Sequence, residues 1–417
     1  MKQQSCPYRI DMAATDIHGE NRELREHGAA APIELPDAVT GWSILDQGLA
    51  KRLMMSPDVS KNPRLHWDDY RHGRIPATWP LRAWPDADNA LTAEGEDHQR
   101  QRRPIASAFS ARRVRKLTQD IRRIVDDLLT RLEHHTDEDG VVDFRTHFAW
   151  QLPLRVANSL LGVPSHLHDE FRDLVGGIFA TNVTGEQAAT TRDEMSRLLE
   201  ELIVYKRQYP GDDITSDLIA AHDDPNGALR SALELLGSFL LLIGAAHETT
   251  VNLIHHLVLA LLRDRDQLEH IFSGRAIWSD AIEETLGFQA PIANIIPRAA
   301  VKDIHDEETG VRIGKGELIV INFAAAGRDP QAMDRPDEFD VTREPKRPHI
   351  SFGHGVHRCP GETLARLEAE IAVEALLTRF PDIALAEEPQ QLTPVASIFG
   401  NGHTTLPVRL NVPTTAA

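Results

Sequence analysis

Residues 349–361 read HISFGHGVHRCPG, and the fold turns on how this stretch is understood. Cys359 is one of only two cysteines in the chain; the other is Cys6. It follows three histidines and two glycines and precedes ETLARLEAEIAVEALLTRF, whose Leu364, Leu367, Ile371 and Ala375 fall on one helical face. Pro360 suits the first position of that helix, so the sulfur is expected at its N-terminus, where unpaired N–H groups and the helix dipole favour a thiolate. Gly353 and Gly355 permit turns closed to other residues and let the backbone approach a flat ligand, while Phe352 is placed to cover the sulfur. A thiolate held this way suits iron, whose ligand must donate strongly yet be tuned by main-chain N–H groups. Two plainer readings stand beside it. His349, His354, His357 and Cys359 could form a zinc site, although a second ligand pair is lacking, and an inert buried cysteine would leave its neighbours unexplained.

The remaining sequence limits what such a site can serve. A chain of 417 residues and 46.5 kDa, 41% hydrophobic, buries a substantial core, and no shift of composition marks a linker, so a single domain over residues 1–417 is expected. Two cysteines cannot form a disulfide framework, and the N-terminal MKQQSCPYRIDMAATDIHGEN has no apolar segment of signal-peptide length. A cytoplasmic location follows as the expectation. A net charge of −18 argues against nucleic acid as a partner. Against that acidic background, residues 100–116, RQRRPIASAFSARRVRK, hold Arg100, Arg102, Arg103, Arg112, Arg113, Arg115 and Lys116 with no acid. Such a run is either a solvated helix face or a site for anionic groups or an acidic partner.

The middle of the chain has helical spacing. Residues 117–132 place apolar side chains three and four apart, and residues 194–208 do so more weakly. After the turn Asp224-Pro225-Asn226-Gly227, residues 228–263 run almost unbroken and predict one very long core helix. Its longest uncharged apolar part, residues 235–246, is too short to cross a bilayer, so no membrane is expected. Beyond about residue 300, short β-rich runs, VRIG and ELIVINFA, alternate with Gly and Pro. The expected fold class is mainly α with small β-sheets.

FGHGVHRCPG followed by ETLAR resembles the cysteine-ligand loop of the cytochrome P450 family, the haem-thiolate monooxygenases, whose pattern is FGxGxHxCxG. The resemblance extends along most of the chain. It implies the cytochrome P450 fold, with heme b (iron protoporphyrin IX) between a long central helix and the cysteine-ligand loop, Cys359 as the axial ligand and His357 at a propionate. Phe352, Gly353 and Ala245 are implied to line the haem. GEDHQRQRR resembles the segment in which a histidine and the arginine four residues later contact propionates, here His98 and Arg102, and Ile296-Pro297-Arg298 resembles the strand carrying a further propionate arginine, Arg298. Ala245-Ala246-His247-Glu248-Thr249 resembles the oxygen-activation segment, which implies proton relay by Glu248 and a hydrogen bond from Thr249 to bound oxygen. A Thr that bonds back to its own helix is the plain alternative.

Three departures from the family pattern stand out. Glu283-Glu284-Thr285-Leu286-Gly287 has glycine where the family's Glu-x-x-Arg has arginine, and Pro336-Asp337-Glu338-Phe339 has glutamate where Pro-x-Arg-Phe has arginine. An unpaired buried Glu284 would cost about 1–3 kcal/mol or more, so another donor, Arg335 or Arg343, or partial hydration is expected. The third departure is Ala246 in place of a glycine, which would crowd oxygen unless the helix locally unwinds.

By the same resemblance, substrate contacts come from residues 84–91, the helix at Leu242 and Ala246, residues 293–296 and the turn 397–400, with Ile296 and Phe399 as apolar contacts and Asn89 and Asn294 as polar anchors. These residues suit a medium-sized, largely apolar small molecule. The resemblance to actinobacterial members implies a bacterial enzyme of natural-product biosynthesis, hydroxylating with O2 and electrons from a ferredoxin and ferredoxin reductase docked near the leftover arginines. Oxidative C–C or C–N coupling of indole or phenol compounds, such as aromatic cyclic dipeptides, is the alternative chemistry. A non-catalytic haem-binding protein, motivated by Gly287 and Glu338, is the alternative class.

Overall fold

The computed structural model describes residues 6–410 apart from 176, 178–180 and 182. Residues 1–5 and 411–417, the ends of the expected domain, lie outside them. The helices that position the site are α1 (Gly95–Ala108), α2 (Ala111–His134), α3 (Gln151–Leu161), α4 (Gly185–Gln208), α5 (Ala232–Arg263), α6 (Trp278–Phe288) and α7 (Glu362–Arg379). Helix α2 shows why they gather. Its Val114, Ile121, Val125, Leu128, Leu129 and Leu132 form one buried stripe against α3 and α7, with charged residues opposite.

Helix α5 is the centre of the fold. Ser231 starts it by accepting the Glu234 N–H at 3.1 Å, so it begins four residues after the expected point and runs 32 residues to Arg263. It packs on α3, α6 and α7, and Leu253, Ile254, Leu257, Val258 and Leu261 are at most 1% exposed. By length and composition it could cross a membrane, because the apolar window continues past Glu248, yet its burial against neighbours on several sides makes it a core helix.

A mixed sheet flanks this bundle. It comprises β1 (Tyr8–Arg9), β2 (Ala30–Leu35), β3 (Val39–Ile44), β4 (Val59–Ser60), β5 (Asn294–Ile295), β6 (Ala299–Ala300) and β7 (Leu318–Asn322), ordered β1-β2-β3-β7-β6-β4 with β5 also on β7. Strands β2 and β3 form an antiparallel hairpin, and β3 pairs parallel with β7, Ser43 opposite Val320. All five residues of β7 are buried, as expected of a strand covered on both faces. The run ELIVINFA does not continue as strand. Asn322 Oδ1 accepts the Ala325 N–H at 2.8 Å and opens a short helix, Phe323–Gly327.

The missing arginine is replaced from elsewhere in the chain. Glu284 is 2% exposed, and its Oε1 accepts from Arg347 Nη2 at 2.8 Å, from Arg343 Nε at 3.3 Å and from the Asp340 N–H at 3.1 Å. Arg343 is one of the donors expected. Arg335 is not: it lies at the surface and pairs with Glu338 and Asp340, because Arg343 and Arg347 already occupy the interior. A Cβ on Gly287 would stand 2.2 Å from Arg347 Cδ. Glycine there is the space through which Arg347 reaches the glutamate.

Candidate active site

The cysteine loop is built as its glycines demand. Gly353 and Gly355 have φ of +74° and +75°, and the Cys359 N–H donates to the Phe352 carbonyl at 2.8 Å, closing the turn. Glu283 staples the loop to α7, accepting from His349 Nε2 at 2.9 Å and from Arg366 Nε at 2.5 Å; although burial acts against it, these bonds bring its carboxyl to about 2. His349 is thereby spent, which removes it from a zinc site with Cys359. Helix α7 begins at Glu362, two residues beyond Pro360, so the main-chain N–H of Gly361, rather than a full helical turn, reaches the sulfur. Burial pushes the free thiol's pKa up, and a coordinated metal would remove that proton outright.

Cys359 opens onto a cavity of about 250 Å³ whose walls include Phe352, Gly353, His357, Ala245 and Thr249. Cations gather at its rim. Arg102 and Arg298 line it, Arg102 also donating to the Arg358 carbonyl, and the His98 and His357 rings are 4.1 Å apart. His98 Nε2 and Arg298 Nη1 are buried without a partner. Sequence reasoning missed Lys61, which lines the same cavity and is 4% exposed. Burial, with Arg298 beside it, holds its pKa well below the usual lysine value, and burial alone brings Arg298 to about 10. Burial also lowers His98 to about 4 and His357 further. Buried cations with no acid acting on them call for an anionic ligand. These residues fit a haem: the cations would take its two carboxylates and Cys359 its iron.

On the facing wall, α5 runs unbroken through Ala245 and Ala246, without the local unwinding considered from sequence. Thr249 faces the cavity, and its hydroxyl donates to the Ala245 carbonyl of its own helix at 2.7 Å, the plainer of the two readings. Glu248 lines neither this cavity nor the larger one beside it. It is buried on another face of α5, 2.8 Å from Arg145 Nη2, and Arg145 Nη1 also donates to Asn252 Oδ1 at 2.9 Å. Burial raises the Glu248 pKa and Arg145 opposes it. The acid that does line the cavity is Glu368 on α7, fully buried, with Oε2 unpartnered and a pKa pushed by burial to about 8. Its sequence signal was a charge on the apolar face of that helix, beside Leu364 and Ile371.

A second cavity of about 660 Å³ lies beside the first, and Leu91, Leu241, Ala245, Thr249, Ile292 and Ile295 line both. Trp84 and Asn89 face the larger one, Leu242 and Ala246 the smaller. Asn89 acts as a tie: Nδ2 donates to the Gly237 carbonyl at 3.1 Å, and only glycine fits there, since a Cβ would stand 2.3 Å from Asp88 O. Three expected contacts line neither cavity. Asn294 Nδ2 donates to the Ile398 carbonyl at 2.8 Å, and Ile296 is fully buried because strand alternation turns Ile295 to the cavity instead. Phe399 is fully buried against Trp84, ring centres 4.3 Å apart.

A cysteine loop under an apolar cavity, a cationic rim and a threonine-bearing helix opposite define a haem-thiolate oxygenase. Comparison with known proteins agrees. The cytochrome P450 family model matches residues 277–398. The chain is 41% identical over 408 residues to 2-hydroxy-5-methyl-1-naphthoate 7-hydroxylase of Streptomyces carzinostaticus, covering 97% of this chain and 98% of that one. It is 34% identical to cytochrome P450 monooxygenase PikC of Streptomyces venezuelae, covering 95% and 91% respectively. The structure of CYP154A1 from Streptomyces coelicolor A3(2) superposes with a TM-score of 0.91 at 41% identity, over 97% of this chain and 100% of that one. The chain belongs to the cytochrome P450 family and is an enzyme, its relatives being bacterial monooxygenases of natural-product metabolism.

Proposed function

We propose that this protein, folded as one domain in the bacterial cytoplasm, hydroxylates a medium-sized, largely apolar natural product. The observation that carries the reading is the continuity of the apolar 660 Å³ cavity with the cavity floored by Cys359. Bound there, heme b supplies reductive activation of O2. Cys359 would ligate its iron, Lys61, Arg102 and Arg298 would neutralise its carboxylates, and the neutral imidazoles of His98 and His357 would donate hydrogen bonds to them. The chain's remaining work is to exclude water, orient substrate and hold protons. Leu91, Leu241, Ile292 and Ile295 keep the shared neck of the cavities dry. Thr249 holds a hydroxyl at that neck, and Glu368 holds a proton at neutral pH. A bicyclic aromatic acid of the kind named for the Streptomyces carzinostaticus relative fits a cavity walled by Trp84 and Leu240, with Arg64 and Arg192 also at its wall.

Electrons would come from a ferredoxin and its reductase. Arg103, Arg112, Arg115 and Arg358 are exposed on elements next to the cysteine loop, and complementary charge speeds such encounters. The test is the reduced, carbon monoxide-treated spectrum of the purified protein, then NADPH-driven turnover with a ferredoxin pair across apolar and aromatic-acid substrates. A red-shifted Soret band and products heavier by one oxygen support the reading. Products that have lost two hydrogens and joined two units would instead assign oxidative coupling.

A further inference from the structure

Outside both cavities, close to the Arg145–Glu248 pair, three histidines meet. His255 and His256 are neighbours on α5, and His403 comes from the C-terminal segment. Ring centres are 5.1 Å apart for His255–His256, 5.1 Å for His255–His403 and 5.7 Å for His256–His403. One ring nitrogen of each lies within 4.8 Å of the others. His255 and His256 are buried and His403 is partly exposed.

The hydrogen bonding leaves a donor atom idle. His256 Nε2 is 2.9 Å from the Asn401 carbonyl oxygen, which can only accept, so Nε2 carries the proton and Nδ1 is a bare lone pair. That Nδ1 is buried and has no partner, as is true of His255 Nδ1. His255 Nε2 and His403 Nδ1 are 2.8 Å apart and share one proton. The charged and titratable groups acting on the cluster are Arg145, held by Glu248 at 2.8 Å, and His18, bonded to Gln289. Burial first, and the Arg145 cation beside it, keep all three imidazoles neutral, the state that coordinates metal.

We propose that His255, His256 and His403 form a binding site for one divalent cation of the zinc class, with an open fourth position. Zinc with Zn–N bonds of about 2.0–2.1 Å sets tetrahedral ligand nitrogens about 3.3 Å and ring centres about 5 Å apart, close to the triangle observed. The His255–His403 contact widens by about half an ångström to admit the ion. The His256 N–H bond to a main-chain carbonyl is the outer support that fixes a ligating imidazole. Three neutral nitrogens without a carboxylate select zinc, copper or nickel over magnesium or calcium. His403 provides the way in, and the ion joins the helix that crosses the active site to a segment 148 residues further along the chain.

The haem-loaded enzyme, freed of any polyhistidine tag and washed with a weak chelator, is equilibrated with zinc sulfate, and zinc and iron are counted by elemental analysis. About one zinc per chain is expected, unrelated to the haem iron content, together with a rise in Tm. His403→Ala, at the partly exposed position, should take up no zinc and lose the rise, and His256→Gln should do the same. Parent enzyme that holds less than about a tenth of a zinc per chain, or variants that bind as the parent does, overturn the site.

Discussion

Arg347 Nη2 stands 2.8 Å from Glu284 Oε1, sixty-three residues away along the chain, and its side chain passes through the space where any residue but glycine at position 287 would stand. Truncating Arg347 to Ala strips Glu284 of its nearest cation and is expected to cost about 3–5 kcal/mol, the range for breaking a buried pair. Gly287→Arg alone should also fail to fold well, while the double change Gly287→Arg/Arg347→Ala should recover most of the loss. Urea midpoints of the three variants check this, and additive damage in the double variant would refute the exchange.

Lys61 and Arg298 predict effects of opposite sign on the two forms of the protein. Arg298→Leu removes a buried charge without a partner, so the haem-free chain should melt at a higher temperature. With haem held as proposed, the same change would remove a charge-assisted hydrogen bond worth about 1.5–3 kcal/mol and should weaken haem retention about ten- to a hundred-fold. Calorimetry of the free chain and haem transfer to apomyoglobin measure the two halves.

Arg145→Leu leaves Glu248 buried and unneutralised, with an expected loss of about 3–5 kcal/mol. Arg145→Leu/Glu248→Leu should restore most of it, because both charges then leave the interior together. Thermal unfolding of the single and double variants decides, and a double variant no better than the single would mean that Arg145 acts through Asn252 instead.

Glu368 sets a pH dependence. Its carboxyl is raised in the folded state from 4.5 to about 8, so the stability it allows is complete below the unfolded value and is lost as pH rises through the folded one. The parent should therefore weaken between about pH 4.5 and 8, and Glu368→Gln should flatten that slope. Urea titrations at several pH values in that window provide the comparison, and parallel curves would show that the group is already neutralised.

Much of this was legible in the sequence because backbone needs are local. The turn at Gly353 and Gly355, the helix after Cys359 and the long apolar run of α5 follow from neighbours a few residues apart. Arg102 and Arg298 were found through motifs. Lys61 was not, since nothing beside it in KNPRLHW reveals burial, which depends on Arg298 and α1 reaching it from afar. Ile296 and Phe399 were placed one face wrong for the same reason: which side of a strand or turn meets a cavity is decided by what packs on the other. Glu248 was expected as a proton relay, and nothing near it in sequence reveals Arg145, from the helical segment 145–149, which holds its carboxylate.

With haem held as proposed, the uncompensated cations at the rim of the cavity that Cys359 floors would make pigment supply part of this protein's biogenesis. A newly synthesised chain must close over Lys61 and Arg298 with nothing negative between them, whereas one that meets haem while closing has its counter-ions in hand. In a host producing the chain faster than it makes porphyrin, the yield of intact protein should follow the rate of porphyrin synthesis rather than the strength of the promoter.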